Sequence, residues 1–206
     1  MDVLKDIQFN EFDAPALKEA LKNYKHPKDK ITLLLKKGRI ISVKKGLYVH
    51  GHPYRKGPYS KEILANLIYG PSYISLEYAL SYYNMIPERT EVVTSVTPKR
   101  KKDFTTPLGH FIYYAMDITY YRIGYTWKKV PDGRGFFIAT PEKALIDKLY
   151  LSESLPSVKA MLVHLTENLR IDESALRKLD LDFVHRMVSV YKKKSMLNLV
   201  KALKRI

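Results

Sequence analysis

Cationic and polar side chains recur through residues 27–51 at positions that would face solvent if the apolar residues between them are buried. These eight side chains belong to Lys28, Lys30, Thr32, Lys36, Lys37, Arg39, Lys44 and Lys45. Seven of them are cationic, and such side chains neutralise nucleic-acid phosphates. Side chains near the start of a DNA-reading helix reach base edges. We therefore expect base contacts from His26, Lys28, Asp29 and Thr32, and phosphate contacts from the remaining cations.

Two further basic segments lie outside this stretch. Residues 98–103 contain four consecutive cations: Lys99, Arg100, Lys101 and Lys102. On a predicted loop, such a run is a solvated surface, an additional nucleic-acid contact or a docking site for an acidic partner. The second segment holds Lys192, Lys193 and Lys194 and continues into apolar residues at helical spacing. That pattern fits packing on its own domain, or contact with nucleic acid, a partner protein or a membrane surface.

The distribution of charge favours a polyanionic partner. The formal net charge is +15. Residues 1–57 hold 13 Lys or Arg against six Asp or Glu, residues 58–182 hold 16 against 15, and residues 183–206 hold seven against none. Charge that served solubility alone need not spare the middle of the chain. We therefore expect the two basic ends to bind a polyanion.

The sequence lacks the common constellations of catalytic residues. A restriction-type nuclease uses a carboxylate-x-Lys element to hold a metal ion and orient water, yet no Asp or Glu here has Lys two residues later. Asp180 and Asp182 precede a predicted helix, where capping is a commoner role than metal binding. His50 and His52 form only a weak metal pair. We predict that the protein is not an enzyme and holds no metal or cofactor.

The basic residues of 27–51 need a helix and a hairpin to position them. Pro27 suits the first helical position, and Gly38 suits the position beyond the helix end. Ile31, Leu34 and Leu35 share the apolar face between them. Residues 39–43 and 47–49 then predict two strands, joined by a Lys-Lys-Gly turn in which Gly46 supplies a positive φ.

An earlier helix, capped by Asp13, completes the order of a winged helix-turn-helix domain: helix, helix, hairpin. We assign this domain to residues 1–52. At roughly 50 residues it would be marginal alone, so we expect it to lean on the larger body or on a second copy. Residues 53–58, which are rich in Gly and Pro, are predicted to be a linker.

Residues 59–206 alternate helical and strand patterns. Helices are predicted over 59–69 and from Ser75 to about 87, and strands over 91–97, 111–115, 120–129 and 135–139. Thr140-Pro141-Glu142 predicts another helix start, and residues from about 157 onward are predicted to be helical. The fold class is therefore α+β, with a winged helix followed by a larger mixed domain whose C-terminal region is helical. Paired tyrosines such as Tyr82 and Tyr83 fit packing better than base stacking.

Several segments together resemble one known family. They are the pattern K-G-x-I-x-x-V-x-x-G-x-Y from Lys37 to Tyr48, the helix from Ser75 to Pro87, the strand EVVTSVT, and A-T-P-E-K-A-L-I-D from Ala139 to Asp147. In this order they resemble the AbiEi family of antitoxins from type IV toxin-antitoxin systems. The resemblance implies a winged helix that represses its own operon by binding repeated operator DNA. It also implies a second domain that counters a nucleotidyltransferase-like toxin without a stable complex.

Two other functions stay open at this point. One is a nuclease-like, metal-dependent enzyme directed to nucleic acid by a winged helix, and the other is a module whose basic surfaces dock an acidic protein. The chain has no cysteine, and no apolar stretch reaches the roughly 18 residues typical of a membrane span. We expect a cytoplasmic autorepressor and antitoxin that binds double-stranded operator DNA, pairs or cooperates on that DNA, and has no membrane partner.

Overall fold

The structure is a computed structural model, and it describes residues 4–191 and 193–206. The N-terminal part contains β1 (Glu11–Asp13), α1 (Ala14–Ala20), α2 (Pro27–Lys36), β2 (Ile40–Lys44) and β3 (Leu47–His50). The predicted order of helix, helix and hairpin is confirmed. Strand β1 is an addition that the sequence did not predict. Both β1 and β2 pair antiparallel with β3, so the three strands form one sheet in the order β1-β3-β2.

Local sequence sets the ends of these elements. Asp13 caps α1, since its Oδ1 accepts a hydrogen bond from the Ala16 N–H at 2.9 Å. Pro27 occupies the start of α2, and Gly38, at φ +61°, lies just beyond its end. Gly46, at φ +83°, lies in the hairpin turn. A side chain at either glycine would be strained, so these residues permit the chain to leave α2 and to reverse between β2 and β3.

Both faces of the three-stranded sheet are covered. Phe12 and Ile40 belong to a small core shared with α1 and α2. Val43, Leu47 and Val49 belong instead to the main core of the molecule. The hairpin therefore joins two cores, and the prediction that the N-terminal part leans on the larger body is confirmed.

Residues 53–58, predicted to be a linker, are hydrogen-bonded to the N-terminal part. The Lys56 N–H donates to Asn10 Oδ1 at 2.7 Å, and Asn10 Nδ2 donates to the Gly57 carbonyl at 3.2 Å. Lys56 Nζ also donates to the Ile7 carbonyl at 2.8 Å. A further link is the ion pair between Arg134 Nη1 and Glu11 Oε2 at 2.6 Å. Contacts thus cross the predicted domain boundary on several sides, and that boundary stays a prediction.

A six-stranded mixed sheet forms the centre of the larger part. Its strands are β4 (Tyr73–Ile74), β5 (Val93–Thr97), β6 (Lys102–Thr106), β7 (Gly109–Ala115), β8 (Tyr125–Lys129) and β9 (Gly135–Ala139). Their spatial order is β6-β7-β5-β4-β9-β8. The pairs β5/β7 and β4/β9 are parallel and the other three are antiparallel. Strands β6 and β8 therefore form the two edges of the sheet.

Helices complete an α+β fold. They are α3 (Lys61–Ile68), α4 (Leu76–Tyr82), α5 (Ile118–Tyr121), α6 (Pro141–Leu151), α7 (Val158–Val163), α8 (Glu173–Leu176), α9 (Leu181–Val190) and α10 (Met196–Leu203), with a π-helical turn, His164–Asn168, after α7. Thr140 caps α6 as predicted, since the Lys143 N–H donates to its Oγ1 at 3.3 Å. None of the helices in the described part of the chain is both long and apolar enough to cross a membrane.

Three segments of the larger part differ from the sequence prediction, and the first is β4, which lies where no strand is predicted. The basic run 98–103 is predicted to be a loop, but Lys102 begins β6, where it pairs with Tyr113 of β7. Residues 120–129 are predicted to be strand throughout, but the chain is helical as far as Tyr121 and β8 begins only at Tyr125. The cause is Asp117, which caps α5 by accepting a hydrogen bond from the Thr119 N–H at 2.8 Å.

The basic C-terminal helix packs on its own domain. In α10, Met196, Leu199 and Leu203 are buried in the main core. Of the interpretations considered for this amphipathic segment, packing is the one confirmed. Cations on the opposite side, such as Lys201 and Lys204, remain exposed.

Candidate nucleic-acid interface

Helix α2 presents a polar face to solvent. Leu34 is buried in the small core, whereas Lys28, Thr32 and Lys36, spaced four residues apart, are exposed. Residues at this spacing share one helix face. Leu33 is exposed beside them. The Thr32 hydroxyl donates to the Lys28 carbonyl at 3.1 Å, so its oxygen remains as an acceptor. The face therefore offers ammonium donors, a hydroxyl acceptor and an apolar side chain, the groups that read base edges and thymine methyls.

The start of α2 is a concave, mainly cationic surface. His26 precedes the helix as its cap residue and is exposed, and its side chain makes no capping hydrogen bond. A cavity of about 560 Å³ lies there, lined by Lys18, Lys25, His26, Pro27, Lys28 and Asp29. Asp29 is the one acidic residue in the first turn of α2. All four predicted base-reading residues are thus exposed in the first two turns of α2 or just before it.

Three of the predicted phosphate-binding cations have protein partners. The Lys30 ammonium lies 4.8 Å from the centre of the Tyr24 ring. Arg39 hydrogen-bonds to the Tyr54 hydroxyl, and its guanidinium also lies over that ring. Lys44 Nζ donates to the Ile68 carbonyl at 2.5 Å. The remaining cations, Lys36, Lys37 and Lys45, are exposed and are the more available for phosphate.

The structure brings two predicted basic segments together at the C-terminal end of α3. Lys44 contacts the Ile68 carbonyl, as described, and Lys99 Nζ donates to the Gly70 carbonyl at 2.7 Å. The ammonium groups of Lys99 and Lys102 each lie 5.4 Å from the centre of the Tyr69 ring. We refer to Lys44, Lys99, Lys102 and Tyr69 as the basic cluster. No local pattern in the sequence points to Tyr69, because its neighbours in the cluster come from distant segments.

Mutual repulsion accompanies this proximity. The pKa of Lys44 is lowered, first by burial and then by the charges of Lys102 and Lys99. Carbonyl groups at a helix C-terminus carry partial negative charge, so those of α3 offset part of the repulsion. A set of like charges held on a fixed surface attracts anions. Arg100 and Lys101 are exposed next to it, and the Lys101 ammonium lies 5.2 Å from the centre of the Tyr114 ring.

In the third predicted basic segment, residues 192–194, one of the lysines binds carbonyl groups of the protein itself. Lys192 lies outside the described residues. Lys193 Nζ donates to the Tyr150 and Ser152 carbonyls at 2.8 Å each, at the C-terminal end of α6. Burial lowers the pKa of Lys193. Lys193 therefore stabilises the end of a helix, while Lys194 is exposed.

An ion pair that sequence analysis did not single out lies inside the A-T-P-E-K-A-L-I-D segment. Lys143 Nζ is 2.5 Å from Asp147 Oδ1, and both side chains are 0% exposed. Asp147 Oδ2 also accepts hydrogen bonds from the Tyr73 hydroxyl at 3.0 Å and from Ser75 Oγ at 2.8 Å. The Tyr191 hydroxyl donates to Asp147 Oδ1 at 3.2 Å. The pair thus joins α6 to β4, to the cap of α4 and to the end of α9.

The buried pair is a structural connection. Burial lowers the pKa of Lys143 and raises that of Asp147, while their attraction opposes both shifts. Lys143 Nζ also donates to the Tyr120 carbonyl at 2.9 Å, which anchors α5. Because neither charge reaches solvent, the pair fixes how the elements pack and does not contact a ligand directly.

Two of the candidate metal residues, Asp180 and His50, have other roles. Asp180 caps α9, since its Oδ1 accepts a hydrogen bond from the Phe183 N–H at 2.8 Å, which confirms the capping interpretation. His50 is buried, and its ring lies 4.9 Å from that of Phe12, whereas His52 is exposed. Among the described residues, no three His, Cys, Asp or Glu side chains converge as a metal site would require.

The paired tyrosines belong to packing. The Tyr113 hydroxyl donates to the Ala65 carbonyl at 2.6 Å inside the core. Tyr120 stacks on Tyr191 with ring centres 4.3 Å apart. Tyr82 meets Tyr83 edge to face at 5.3 Å. The packing interpretation is therefore confirmed for Tyr83, Tyr113 and Tyr120, whereas Tyr82 is exposed.

Comparison with known proteins places the fold. No family model matches the sequence, and no curated protein matches it. Among solved structures, the chain is similar to the crystal structure of the RV2827C protein from Mycobacterium tuberculosis, with a TM-score of 0.51 and 12% sequence identity. The match covers 98% of this chain and 78% of that one. At this identity the similarity concerns the fold alone.

Proposed function

We propose that the protein is a DNA-binding regulator that represses its own operon and acts as an antitoxin. In this proposal residues 1–52 form a winged helix whose α2 lies in the major groove of operator DNA. The exposed face of α2 that carries Lys28, Thr32 and Lys36 is the single observation on which the DNA-binding part depends. Copies of the protein pair or cooperate on the DNA. The compartment is the cytoplasm, because an operator-binding protein must reach the chromosome.

Each part of the interface has its own task. His26, Lys28, Asp29 and Thr32 contact base edges, because they lie at the start of α2. Lys36, Lys37 and Lys45 contact phosphates, because their charges are exposed. Lys30, Arg39 and Lys44 have aromatic or carbonyl partners within the protein. We therefore expect a smaller phosphate contribution from these three residues than from the exposed cations.

The antitoxin part depends on the resemblance to the AbiEi family. The larger domain counters a nucleotidyltransferase-like toxin without a stable complex. The segment most specific to that resemblance, Ala139 to Asp147, contains the buried Lys143/Asp147 pair. Because this pair links α6 to β4, α4 and α9, its role in the proposal is to maintain the surface that acts against the toxin.

Binding to duplex DNA tests the first part. A labelled duplex from the region upstream of the gene and a scrambled duplex are titrated with protein in a gel shift at several salt concentrations. Thr32→Val should weaken binding to the upstream duplex by about 1 kcal/mol or more and change binding to the scrambled duplex little, since a base contact carries sequence information. Lys36→Ala should weaken both and make the salt slope shallower by about 0.9.

Lys159→Ala, an exposed lysine on α7, is the matched control and should change neither value. Equal binding of both duplexes by wild-type protein would rule out an operator-specific role. Cleavage of the DNA in the presence of a divalent metal would favour the nuclease alternative. Absence of binding at low salt, with co-purification of an acidic protein, would favour the docking alternative.

A growth assay tests the antitoxin part separately. The neighbouring gene is expressed with and without this chain, and the proposal expects the chain to restore growth. The α2 variants should lose repression and still restore growth, because the two activities belong to different domains. Failure of the wild-type chain to restore growth would contradict the antitoxin role and leave the DNA-binding result unaffected.

A further inference from the structure

A groove lined by aromatic rings lies on the larger part, outside the surface assigned to duplex DNA. Its volume is about 400 Å³, within the range of small-ligand sites. The rings come from Tyr121, Tyr125, Trp127 and Phe137, and Leu67 of α3 forms part of the opposite wall. We refer to these residues as the aromatic groove. Trp127 and Phe137 are 49% and 41% exposed, which is unusual for neighbouring large aromatic side chains.

The rings of the aromatic groove are held in place. Trp127 and Phe137 are directly opposite on β8 and β9, and their rings meet edge to face at 4.7 Å. A Cβ atom at Gly135 would lie 2.6 Å from the Trp127 ring, so glycine there permits the indole to lie close against the hairpin. Asn66 Oδ1 accepts a hydrogen bond from the Phe137 N–H at 2.6 Å, which ties this strand to α3. The protein would therefore lose little side-chain entropy when a ligand stacks on these rings.

The basic cluster borders the aromatic groove. Gly70 and Pro71 line the groove, and the Gly70 carbonyl is the group that accepts the hydrogen bond from Lys99. Lys44 contacts the carbonyl of Ile68, two residues earlier. On the other side, β8 continues into Lys129, which is exposed and shares the face of Trp127, since side chains two residues apart in a strand point the same way. Exposed rings with cations on both sides match the chemistry of one ligand class, in which planar bases alternate with phosphates.

We propose that the aromatic groove and the basic cluster form a binding site for single-stranded nucleic acid. Bases stack on Trp127 and Phe137, and phosphates further along the same strand pass the end of α3, where Lys99 contacts the Gly70 carbonyl, and reach the basic cluster. This site is distinct from the α2 surface that we assign to duplex DNA, and it does not depend on that assignment. The chemistry is shared by single-stranded RNA and single-stranded DNA, and the two are compared directly in the test.

Charge argues against the other occupants of an apolar groove. A second copy of this chain carries a net charge of +15 and would place further cations against the basic cluster, so two copies that are not on DNA repel each other at this surface. An apolar helix from a partner protein would cover Leu67 and the rings but would leave the basic cluster without a counter-charge. Single-stranded nucleic acid satisfies the rings and the cations together.

The full-length chain allows a direct measurement, because Trp127 is its single tryptophan. Unlabelled oligouridylate and oligothymidylate of 12 nucleotides are titrated into the protein while tryptophan fluorescence is recorded. Stacking of a base on Trp127 should quench this fluorescence. An oligomer of the same length with abasic sugars carries the phosphates alone and should not quench it. Comparing the oligouridylate titration with the oligothymidylate titration shows whether RNA or DNA binds more tightly.

Variants separate stacking from charge. Binding of fluorescein-labelled oligouridylate is followed by anisotropy, so that tryptophan is not needed for detection. Trp127→Ala should weaken binding about tenfold, and Trp127→Phe should retain most of the affinity. Lys99→Gln combined with Lys102→Gln should make the salt slope shallower by about 1.4, from two phosphates at about 0.7 each. Tyr82→Ala removes an exposed ring outside the groove and is the matched control.

The quenching and anisotropy results together decide whether the aromatic groove binds single-stranded nucleic acid. The proposal is supported if the oligomers quench Trp127 and the groove variants weaken oligomer binding while duplex binding is unchanged. It is overturned if the oligomers do not bind, if they bind equally well to Trp127→Ala, or if the abasic oligomer quenches as strongly. It is also overturned if Trp127→Ala weakens duplex and oligomer binding equally, or if Trp127 mediates self-association instead. Circular dichroism confirms that each variant is folded, and the Phe variant remains informative if the Ala variant is not.

Discussion

Separating the charges of the Lys143/Asp147 pair should be among the most destabilising substitutions in the molecule. Asp147→Asn keeps the shape of the side chain but leaves the Lys143 ammonium, 0% exposed, without a counter-charge. Lys143→Met does the reverse and leaves the Asp147 carboxylate with the Tyr73, Ser75 and Tyr191 hydroxyls as donors. Removing one member of a buried pair typically costs about 3–5 kcal/mol.

The free-energy cost of leaving one charge buried has an upper limit in each variant, because the remaining group can gain or lose a proton and become neutral. Lys143 has an ordinary pKa of 10.5, so losing its proton at pH 7 costs at most about 4.8 kcal/mol, at about 1.36 kcal/mol per pH unit. Asp147 has an ordinary pKa of 3.8, so gaining a proton at pH 7 costs at most about 4.4 kcal/mol. The three hydroxyl donors still stabilise the carboxylate, so Lys143→Met should cost less than Asp147→Asn.

The pH dependence distinguishes the two variants. In Asp147→Asn the pKa of Lys143 in the folded state falls further below that of the unfolded chain, which therefore binds more protons. The stability of this variant should rise with pH between 7 and 9, by up to about 1.4 kcal/mol per pH unit relative to wild type. In Lys143→Met the pKa of Asp147 is raised on folding, so the folded state binds more protons. The stability of that variant should fall as the pH rises from 4.5 to 7.

Urea unfolding followed by circular dichroism at pH 5, 7 and 9 measures these differences. Lys148→Met is the matched control, since Lys148 lies on the same helix and pairs with Glu77 at 2.5 Å while partly exposed. It should cost no more than about 1 kcal/mol. The double variant Lys143→Met, Asp147→Asn buries no charge and should be more stable than either single variant. Equal losses in the control and the test variants, or parallel pH profiles, would refute this reasoning.

Three further outcomes are expected. Lys45→Ala should make the salt slope of duplex binding shallower by about 0.9. Lys44→Ala should change that slope less, because the Lys44 ammonium already contacts the Ile68 carbonyl. Gel shifts at several salt concentrations measure both slopes. Burial lowers the pKa of His50, so its contribution to stability is complete above pH 6.5 and decreases as the pH falls below that value. Below pH 6.5 the free energy of unfolding of the wild-type protein should therefore fall more steeply than that of His50→Phe, by up to about 1.4 kcal/mol per pH unit. Urea unfolding at pH 5 to 7 measures this difference. Thr140→Ala should cost about 1 kcal/mol in urea unfolding, because the first turn of α6 loses its cap.

Elements with a local signal were predictable from the sequence. The start of α1 at Asp13 and that of α6 at Thr140 depend on one side-chain oxygen and one N–H group three residues later. The hairpin turn depends on the positive φ of Gly46. Such features involve a few neighbouring residues, and their residue types reveal them. Strand β1 has three residues and no period of its own, so only its pairing with β3 makes it a strand.

The candidate sites depend on contacts between distant segments, which no local pattern contains. Lys143 and Asp147 are four residues apart, a spacing that usually describes an exposed pair on a helix surface. Their burial follows from the packing of β4 and α9 against α6, through Tyr73 and Tyr191. Likewise, the alternation in β9 shows that Phe136 and Phe137 face opposite sides, but the order of the sheet decides which of the two is exposed.

Net charge along the sequence also conceals how charge is arranged in space. Residues 58–182 are nearly neutral, yet they contribute Lys99 and Lys102 to the basic cluster, where they meet Lys44 from the basic N-terminal part. The compensating carboxylates lie elsewhere: Asp147 is buried with Lys143, and Glu77 pairs with Lys148. Conversely, Lys193 from the basic tail is bound to carbonyls at the end of α6. Single-stranded nucleic acid attracted by the net charge should therefore contact a surface that includes part of the neutral middle, and Lys99→Gln with Lys102→Gln should lower affinity for it more than Lys193→Gln does.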